Sequence, residues 1–123
     1  MQTETAVATT AATMDTIRRF NDAFNAHDVD AVMGLMTDDC VFESTAPAPD
    51  GDRVVGQAAV RRVWEDLFRS SPDAHFDAEE ILVVDDRCVV RWRYTFGQGH
   101  VRGVDVMRVR DGRVAEKLSY VKG

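Results

Sequence analysis

The sequence predicts an α+β fold, in which three helices pack on one curved, mostly antiparallel sheet. In the first part of the chain, apolar residues recur three and four positions apart, as they do in amphipathic helices. After Pro72 they alternate with polar residues, as they do in strands. Short turns separate these later segments, so neighbouring strands run antiparallel. Helices and strands are therefore segregated along the chain.

Helical spacing occurs in three segments. The first extends from Thr13 to Ala26, and Asp28 can cap a second, shorter helix that ends before the residues TDD. The third extends from Gln57 to Arg69 and is followed by SSPD. The apolar residues of these helices are Ile17, Phe20, Ala23, Phe24, Val32, Met33, Leu35, Met36, Val60, Val63, Trp64, Leu67 and Phe68.

Strands are predicted before and after the third helix. CVFES forms a short strand, and TAPAPDGDRVVG forms a loop or a frayed hairpin. A meander of four strands follows, separated by DD, GQG and DG turns. Its strands are predicted over His75–Val84, Arg87–Phe96, His100–Arg110 and Arg113–Val121.

Length and composition predict one domain over residues 13–123, preceded by a disordered tail over residues 1–12. The tail lacks the basic start and long apolar stretch of a secretory signal or membrane anchor. The net charge of -6 argues against nucleic acid and anionic membranes as partners. Cys40 and Cys88 lie in apolar runs and are interpreted as reduced core cysteines of a cytoplasmic protein. The three histidines show no metal-ligand spacing, so no metal is expected.

One carboxylate breaks the apolar face of the third meander strand. Alternation places Asp105 on the same face as Val101, Met107 and Val109. Burying an unpaired carboxylate costs several kcal/mol, so Asp105 must be paired, hydrated or protonated. Lys117 could pair with it, or a raised pKa could turn Asp105 into a hydrogen-bond donor.

The turn RDG decides which residue stands opposite Asp105. A two-residue turn at Asp111-Gly112 pairs Asp105 with Leu118, whereas a three-residue turn pairs it with Lys117. The three-residue turn is favoured, because only Gly112 then needs a positive φ. The inner face of the last strand then consists of Ala115, Lys117, Ser119 and Val121.

Aromatic residues on the helices and the sheet could line a cavity. Trp64 and Trp92 could face each other across it, with Phe24, Phe42 and Tyr94 adding apolar wall. The catalytic candidates are Asp105 and Lys117. The candidate substrate-binding residues are Phe20, Phe24, Phe42, Ser44, Trp64, Val90, Trp92, Met107 and Ser119.

Three stretches carry a resemblance to a known family: RRFNDAFNAHDVDAVMGLMTDDCVFES, VVGQAAVRRVWEDLF and GVDVMRVRDGRVAEKLSYVKG. Together they resemble the SnoaL-like branch of the nuclear transport factor 2-like superfamily over residues 14–122. The resemblance implies a cone-shaped α+β barrel, with a pocket at the open end of a strongly curved sheet. It also implies a homodimer through the outer face of the sheet. This scaffold hosts isomerases, polyketide cyclases, dehydratases, epoxide hydrolases and proteins without known activity, so it predicts fold better than function.

Two activities of the superfamily can be compared with this sequence residue by residue. Ketosteroid isomerase uses a protonated aspartate, a basic aspartate and a tyrosine. Asp105 of this sequence would match the protonated aspartate, but Ser44 stands at the position of the basic aspartate and Phe20 at that of the tyrosine. The epoxide hydrolases of the superfamily use two carboxylates and an arginine. Asp105 of this sequence would match the first carboxylate, but Ser119 stands at the position of the second and Gly103 at that of the arginine.

The leading hypothesis is therefore a cytoplasmic protein that binds a small hydrophobic organic molecule in an apolar pocket. Asp105 and Lys117 would act on a carbonyl compound by proton transfer, as a cofactor-independent isomerase or cyclase. One alternative is a non-catalytic ligand-binding or dimerisation module, and a further alternative is an epoxide hydrolase-like enzyme.

Overall fold

The computed structural model describes residues 2–123, with side chains from residue 9 onward. Helices and strands follow one another in the order that the sequence predicts, with one further short strand, and the α+β class is confirmed. The helices are α1 (Gln2–Asn25), α2 (Val29–Gly34) and α3 (Gln57–Ser70). The strands are β1 (Met36–Glu43), β2 (Arg53–Val55), β3 (His75–Val84), β4 (Arg87–Phe96), β5 (Gly99–Arg110) and β6 (Arg113–Val121).

Helix α1 begins at Gln2, so residues 2–12, expected to be a disordered tail, are helical. Side chains on α1 attach the helix to the turn between β3 and β4. The Thr13 hydroxyl donates to the backbone oxygen of Asp85 at 2.6 Å, and the Asp85 amide donates to Thr10 Oγ1 at 3.0 Å. The folded domain therefore includes the end of the segment that was expected to be a tail.

The six strands form one open sheet in the order β2-β1-β6-β5-β4-β3. All neighbouring strands are antiparallel except β1 and β6, which run parallel. The edge strands β2 and β3 do not pair with each other, so the cone is not a closed barrel. Strand β2 lies within the segment that is predicted to be a loop or a frayed hairpin. It pairs with the end of β1, so the hairpin is the structure that forms.

The turn between β5 and β6 differs from the favoured prediction. Asp111 and Gly112 both have positive φ, 52° and 73°, as in a two-residue type I′ turn. The predicted three-residue turn is therefore wrong. An aspartate tolerates a positive φ better than most residues do, and this turn suits the twist of the strands.

A bulge at Ala115 then shifts the register of the hairpin. Val109 pairs with Val114, but Arg108 pairs with Glu116, so β6 contains one additional residue. Ser119 consequently stands opposite Asp105, and neither Lys117 nor Leu118 occupies that position.

The predicted faces of the hairpin nevertheless agree with the structure. The observed partner of Asp105, Ser119, lies two positions beyond the predicted partner, Lys117. An even shift keeps each side chain on its face, because side chains alternate along a strand. Lys117 and Ser119 therefore share the inner face with Asp105, while Tyr120 is exposed on the outer face.

The helices cover the concave face of the sheet and form the core with it. Helix α3 buries one stripe, Val60, Trp64 and Phe68, at helical spacing. The Asp28 side chain caps α2 by accepting a hydrogen bond from the Ala31 amide at 3.1 Å. Cys40 and Cys88 are buried and free. No helix in residues 2–123 is long and apolar enough to cross a membrane.

Candidate functional site

A buried ion pair joins β5 and β6 on the inner face of the sheet. Lys117 Nζ lies 3.1 Å from Asp105 Oδ2, and the two residues are 8% and 7% exposed. They are diagonal neighbours, since Ser119 is directly opposite Asp105 and Met107 is directly opposite Lys117. The shift at the bulge of β6 brings these two charges together.

Two further side chains bind the Asp105 carboxylate. The Trp92 indole Nε1 donates to Oδ1 at 3.0 Å, and the Ser119 hydroxyl donates to the same oxygen at 2.6 Å. With Lys117, the carboxylate therefore accepts from three donors. Both carboxylate oxygens are therefore bound, Oδ1 by Trp92 and Ser119 and Oδ2 by Lys117.

The Lys117 ammonium is surrounded by aromatic rings as well as by polar groups. It donates to Ser119 Oγ at 3.2 Å. The ring centroids of Phe42, Trp64 and Phe24 lie 5.0, 5.5 and 5.7 Å from Nζ, which is the range of cation–π attraction. An ammonium has three N–H donors, and Asp105 and Ser119 accept from two of them.

Gly103 makes room for the indole of Trp92. A Cβ atom added at Gly103 would lie 2.4 Å from Trp92 Cζ2 and 2.2 Å from the Tyr120 backbone oxygen. Any larger residue would therefore displace Trp92, and with it the hydrogen bond to Asp105. This is the position where the epoxide hydrolase comparison would require an arginine, so that comparison gains no support from the site.

A larger cavity of about 320 Å³ lies at the open end of the cone. It has mostly apolar walls, and Lys117 and Ser119 are among its few polar lining residues. Asp105 lines a separate, smaller cavity of about 20 Å³, which it shares with Lys117 and Asn21. Lys117 and Trp92 line both cavities and Ser119 lines the larger one, so a ligand in the larger cavity would contact these three members of the network but not Asp105.

The structure brings most of the candidate binding residues together. The larger cavity contains Phe24, Phe42, Ser44, Trp64, Trp92 and Ser119. Phe20 and Val90 line the smaller cavity. Met107 lines neither of the two, because it is buried in the core at 1% exposure.

Sequence reasoning left several lining residues out of the candidate set. For the larger cavity these are Thr45, Val63, Leu67, Phe76, Phe96, Val101 and Val121, and for the smaller one Asn21 and Ala78, whereas Tyr94 lines the larger cavity as expected. Signals for some of them were present. Val63 and Leu67 neighbour Trp64 on the helical stripe, and Phe96 shares the alternation of Trp92 and Tyr94 on β4. Asn21 had no such signal, since it is polar and lies on a helix.

Cys88 lies close to the site but is not a nucleophile at neutral pH. Burial, and to a smaller extent the charge of Asp105, raises the pKa of its thiol to about 12. The thiol therefore stays protonated, and the thiolate is the reactive form of cysteine.

A curved, open sheet with helices over its concave face and a cavity at the open end defines the NTF2-like class of domain, and solved structures agree. An NTF2-like protein of unknown function from Mesorhizobium loti is 45% identical over 93% of each chain, with a TM-score of 0.83. A candidate ketosteroid isomerase from Kribbella flavida is 20% identical, with a TM-score of 0.81, over 93% of this chain and 80% of the other. A candidate polyketide cyclase from Sinorhizobium meliloti is 24% identical, with a TM-score of 0.75, over 85% of this chain and 93% of the other.

The family model of the SnoaL-like domain matches residues 17–117. The chain therefore belongs to the SnoaL-like family. The Kribbella and Sinorhizobium proteins, at less than 25% identity, show the fold alone. No curated protein is significantly similar to this chain.

Proposed function

We propose that this protein binds a small, mostly apolar carbonyl compound in the larger cavity and isomerises or cyclises it by proton transfer, without a cofactor. The observation that carries the proposal is the buried Lys117–Asp105 pair beside an apolar cavity. A buried ion pair adds little stability compared with apolar packing. Its position beside a cavity therefore supports a role toward a ligand rather than a role in stability alone.

Lys117 would bind the carbonyl oxygen of the substrate. Its remaining N–H can donate to that oxygen, and the ammonium stabilises the negative charge that develops there as the enolate forms. Asp105 compensates the charge of Lys117 and fixes its position through the 3.1 Å contact. In this role Lys117 touches the reacting atoms and Asp105 orients it.

Ser119 would connect the substrate to Asp105. Its hydroxyl lines the larger cavity and donates to Asp105 Oδ1 at 2.6 Å. A proton leaving the carbon next to the carbonyl passes to Ser119 Oγ as the serine proton passes to Asp105. Returning a proton to another carbon of the enolate by the reverse route completes an isomerisation and restores the carboxylate. No oxidant, reductant or other reactant is needed.

The test is the conversion of β,γ-cyclohexenone to the conjugated α,β-enone, followed by ultraviolet absorbance. We expect Asp105→Asn and Ser119→Ala to slow conversion by about 100-fold or more, as loss of a general base does. Lys122→Met removes an exposed lysine and should leave the rate unchanged. Stability measured in urea shows whether each variant is folded. Wild-type turnover by folded Asp105→Asn would refute the catalytic role.

A non-catalytic ligand-binding module is the second candidate function. The described residues that line the larger cavity include no carboxylate and no histidine. Ser44 lines it at the place of the basic aspartate of ketosteroid isomerase, and Phe20 lies in the smaller cavity. This candidate predicts that ligands bind without turnover and that Asp105→Asn loses only stability.

We also propose that two copies of the chain associate through the outer face of the sheet. Apolar side chains lie on that face, where Leu118 is half-buried, Tyr120 is 56% exposed and Leu82 is 54% exposed. Contiguous exposed apolar surface on a sheet is typical of an interface. A dimer of this kind would leave the larger cavity accessible, because the cavity lies on the opposite face.

A further inference from the structure

Lys117 is the one cationic side chain among the described residues that line the larger cavity. We infer that the ligand of this cavity is a neutral, flat aromatic carbonyl compound, held by a hydrogen bond from Lys117 between two aromatic walls. The inference rests on the proposed function and names the class of molecule that the same cavity takes. Three properties of the cavity carry it: its charge, its free donor and its walls.

The charge of the site favours a neutral ligand over an anion. Lys117 and Asp105 compensate each other at 3.1 Å, so the buried pair has no net charge. A carboxylate ligand would add a negative charge that no other cationic lining residue balances. Burying an unbalanced charge is unfavourable. A carbonyl oxygen adds no net charge and still accepts a hydrogen bond.

The free donor on Lys117 favours a ligand with an acceptor over a pure hydrocarbon. Asp105 Oδ2 and Ser119 Oγ accept from two of the three ammonium N–H groups. A hydrocarbon in the cavity would exclude water from the third N–H without replacing its hydrogen bond. A carbonyl oxygen restores that bond to a charged donor, which is stronger than a bond to a neutral one.

The first aromatic wall is formed by one residue each of α1, α3 and β1. The Trp64 ring is at its centre, with centroids 5.0 Å from Phe24 and 4.6 Å from Phe42. All three rings also line the larger cavity and surround Lys117 Nζ. A ligand bound at Lys117 therefore contacts this wall.

The second wall lies on the sheet. Phe76 contacts Trp92 and Tyr94 with ring centroids 5.4 and 4.5 Å apart, and Tyr94 contacts Phe96 at 5.3 Å. These four rings form a continuous row on the lining of the cavity. Flat aromatic molecules pack on such rings by offset stacking or by edge-to-face contact.

The size of the cavity limits the number of rings in the ligand. Its volume is about 320 Å³. This volume suits one or two fused rings with a short carbonyl substituent, and it is at the small end of ligand cavities.

Three naphthalene probes of similar shape test the inference by isothermal titration calorimetry at neutral pH. They are methyl naphthyl ketone, naphthoate and ethylnaphthalene. The ketone should bind about tenfold tighter than ethylnaphthalene, because it pairs the charged donor. It should also bind about tenfold or more tighter than naphthoate, because the carboxylate brings an unbalanced charge.

Two lysine variants form a matched pair for this test. Lys117 and Lys122 are the only lysines in the sequence, and replacing either with methionine changes the net charge equally. Lys117→Met should remove the preference for the ketone over ethylnaphthalene, whereas Lys122→Met should retain it. If Lys117→Met does not fold, Lys117→Met combined with Asp105→Asn removes both charges and takes its place.

The outcomes separate this inference from the proposed function. Equal binding of ketone and hydrocarbon would overturn the role of Lys117 while leaving an apolar binding cavity. Tighter binding of naphthoate would show an anion site and would also overturn the inference. Failure of all three probes to bind would overturn the proposed ligand binding itself, and the inference with it.

Discussion

Removing one member of the buried Lys117–Asp105 pair should destabilise the protein far more than removing both. Lys117→Met leaves a buried carboxylate with two neutral donors, Trp92 and Ser119. Asp105→Asn leaves a buried ammonium without a counter-charge. The double variant has no buried charge and keeps an amide that can accept from the same two donors.

The magnitude follows from the distance and the burial. At 3.1 Å, Coulomb's law with an effective dielectric constant of ~20 gives a gross attraction of about 5 kcal/mol. Desolvation of both charges offsets much of this attraction. Loss of one partner of such a pair costs about 3 kcal/mol or more. We therefore expect each single variant to lose about 3 kcal/mol of unfolding free energy, and the double variant to lose far less than the sum.

Urea unfolding measures all four proteins of this double-mutant cycle. Trp64 and Trp92 are the only tryptophans, and both line the larger cavity, so their fluorescence reports on the site. Lys122→Met is the control for the change in net charge and should stay within about 0.5 kcal/mol of the wild type. The coupling would be refuted if the unfolding free energies lost by the two single variants sum to the loss of the double variant within about 0.5 kcal/mol.

Four further predictions concern the surroundings of the site and the outer face. Gly103→Ala should cost about 1–3 kcal/mol, because the new Cβ collides with Trp92; wild-type stability with an unshifted indole N–H resonance of Trp92 would contradict this. Thiol reagents should label Cys40 and Cys88 far more slowly in the native protein than in urea, because burial raises the pKa of both thiols; rapid labelling of the native protein would show the burial to be wrong. The pKa of the Cys88 thiol is 9.0 in the unfolded chain and about 12 in the native protein, so the native thiol holds its proton more tightly. The free energy of unfolding should therefore fall as pH rises through this interval. Leu118→Glu should convert the proposed homodimer to a monomer in analytical ultracentrifugation, and a monomeric wild-type protein would refute that proposal.

The sequence predicted elements and faces well, because both depend on local periodicity. The bounds of β3, β4 and β6 agree with the predicted segments, and α3 differs by one residue. Lys117 was placed on the same face as Asp105 even though the turn was wrong, because the register error was an even number of residues. Asp105 on an apolar face was therefore enough to identify Lys117 as the residue that pairs with it.

Other features depended on interactions that local periodicity does not contain. The bulge at Ala115 has no composition that distinguishes it from an ordinary strand residue, so the partner of Asp105 could not be assigned. Alternation also gives the face of a side chain but not its depth. Met107 shares the inner face with Asp105 but lies in the core rather than on either cavity.

The start of α1 was missed for a similar reason. Residues 2–12 show little helical periodicity, since they are mostly alanine and threonine. Thr10 and Thr13 form hydrogen bonds with Asp85, which lies 75 and 72 positions further along the chain. Tertiary contacts of this kind stabilise the part of α1 around Thr10 and Thr13, where propensity leaves the conformation open.

Nuclear magnetic resonance of the lysine side chains tests the central claim most directly. Lys117 and Lys122 are the only lysines, so the ammonium groups give two resonances that Lys117→Met assigns. We expect the Lys117 ammonium to exchange its hydrogens slowly and to shift when methyl naphthyl ketone is added, with the Lys122 resonance unchanged. A rapidly exchanging Lys117 ammonium that does not respond to the bound ketone would contradict a buried lysine that donates to the ligand.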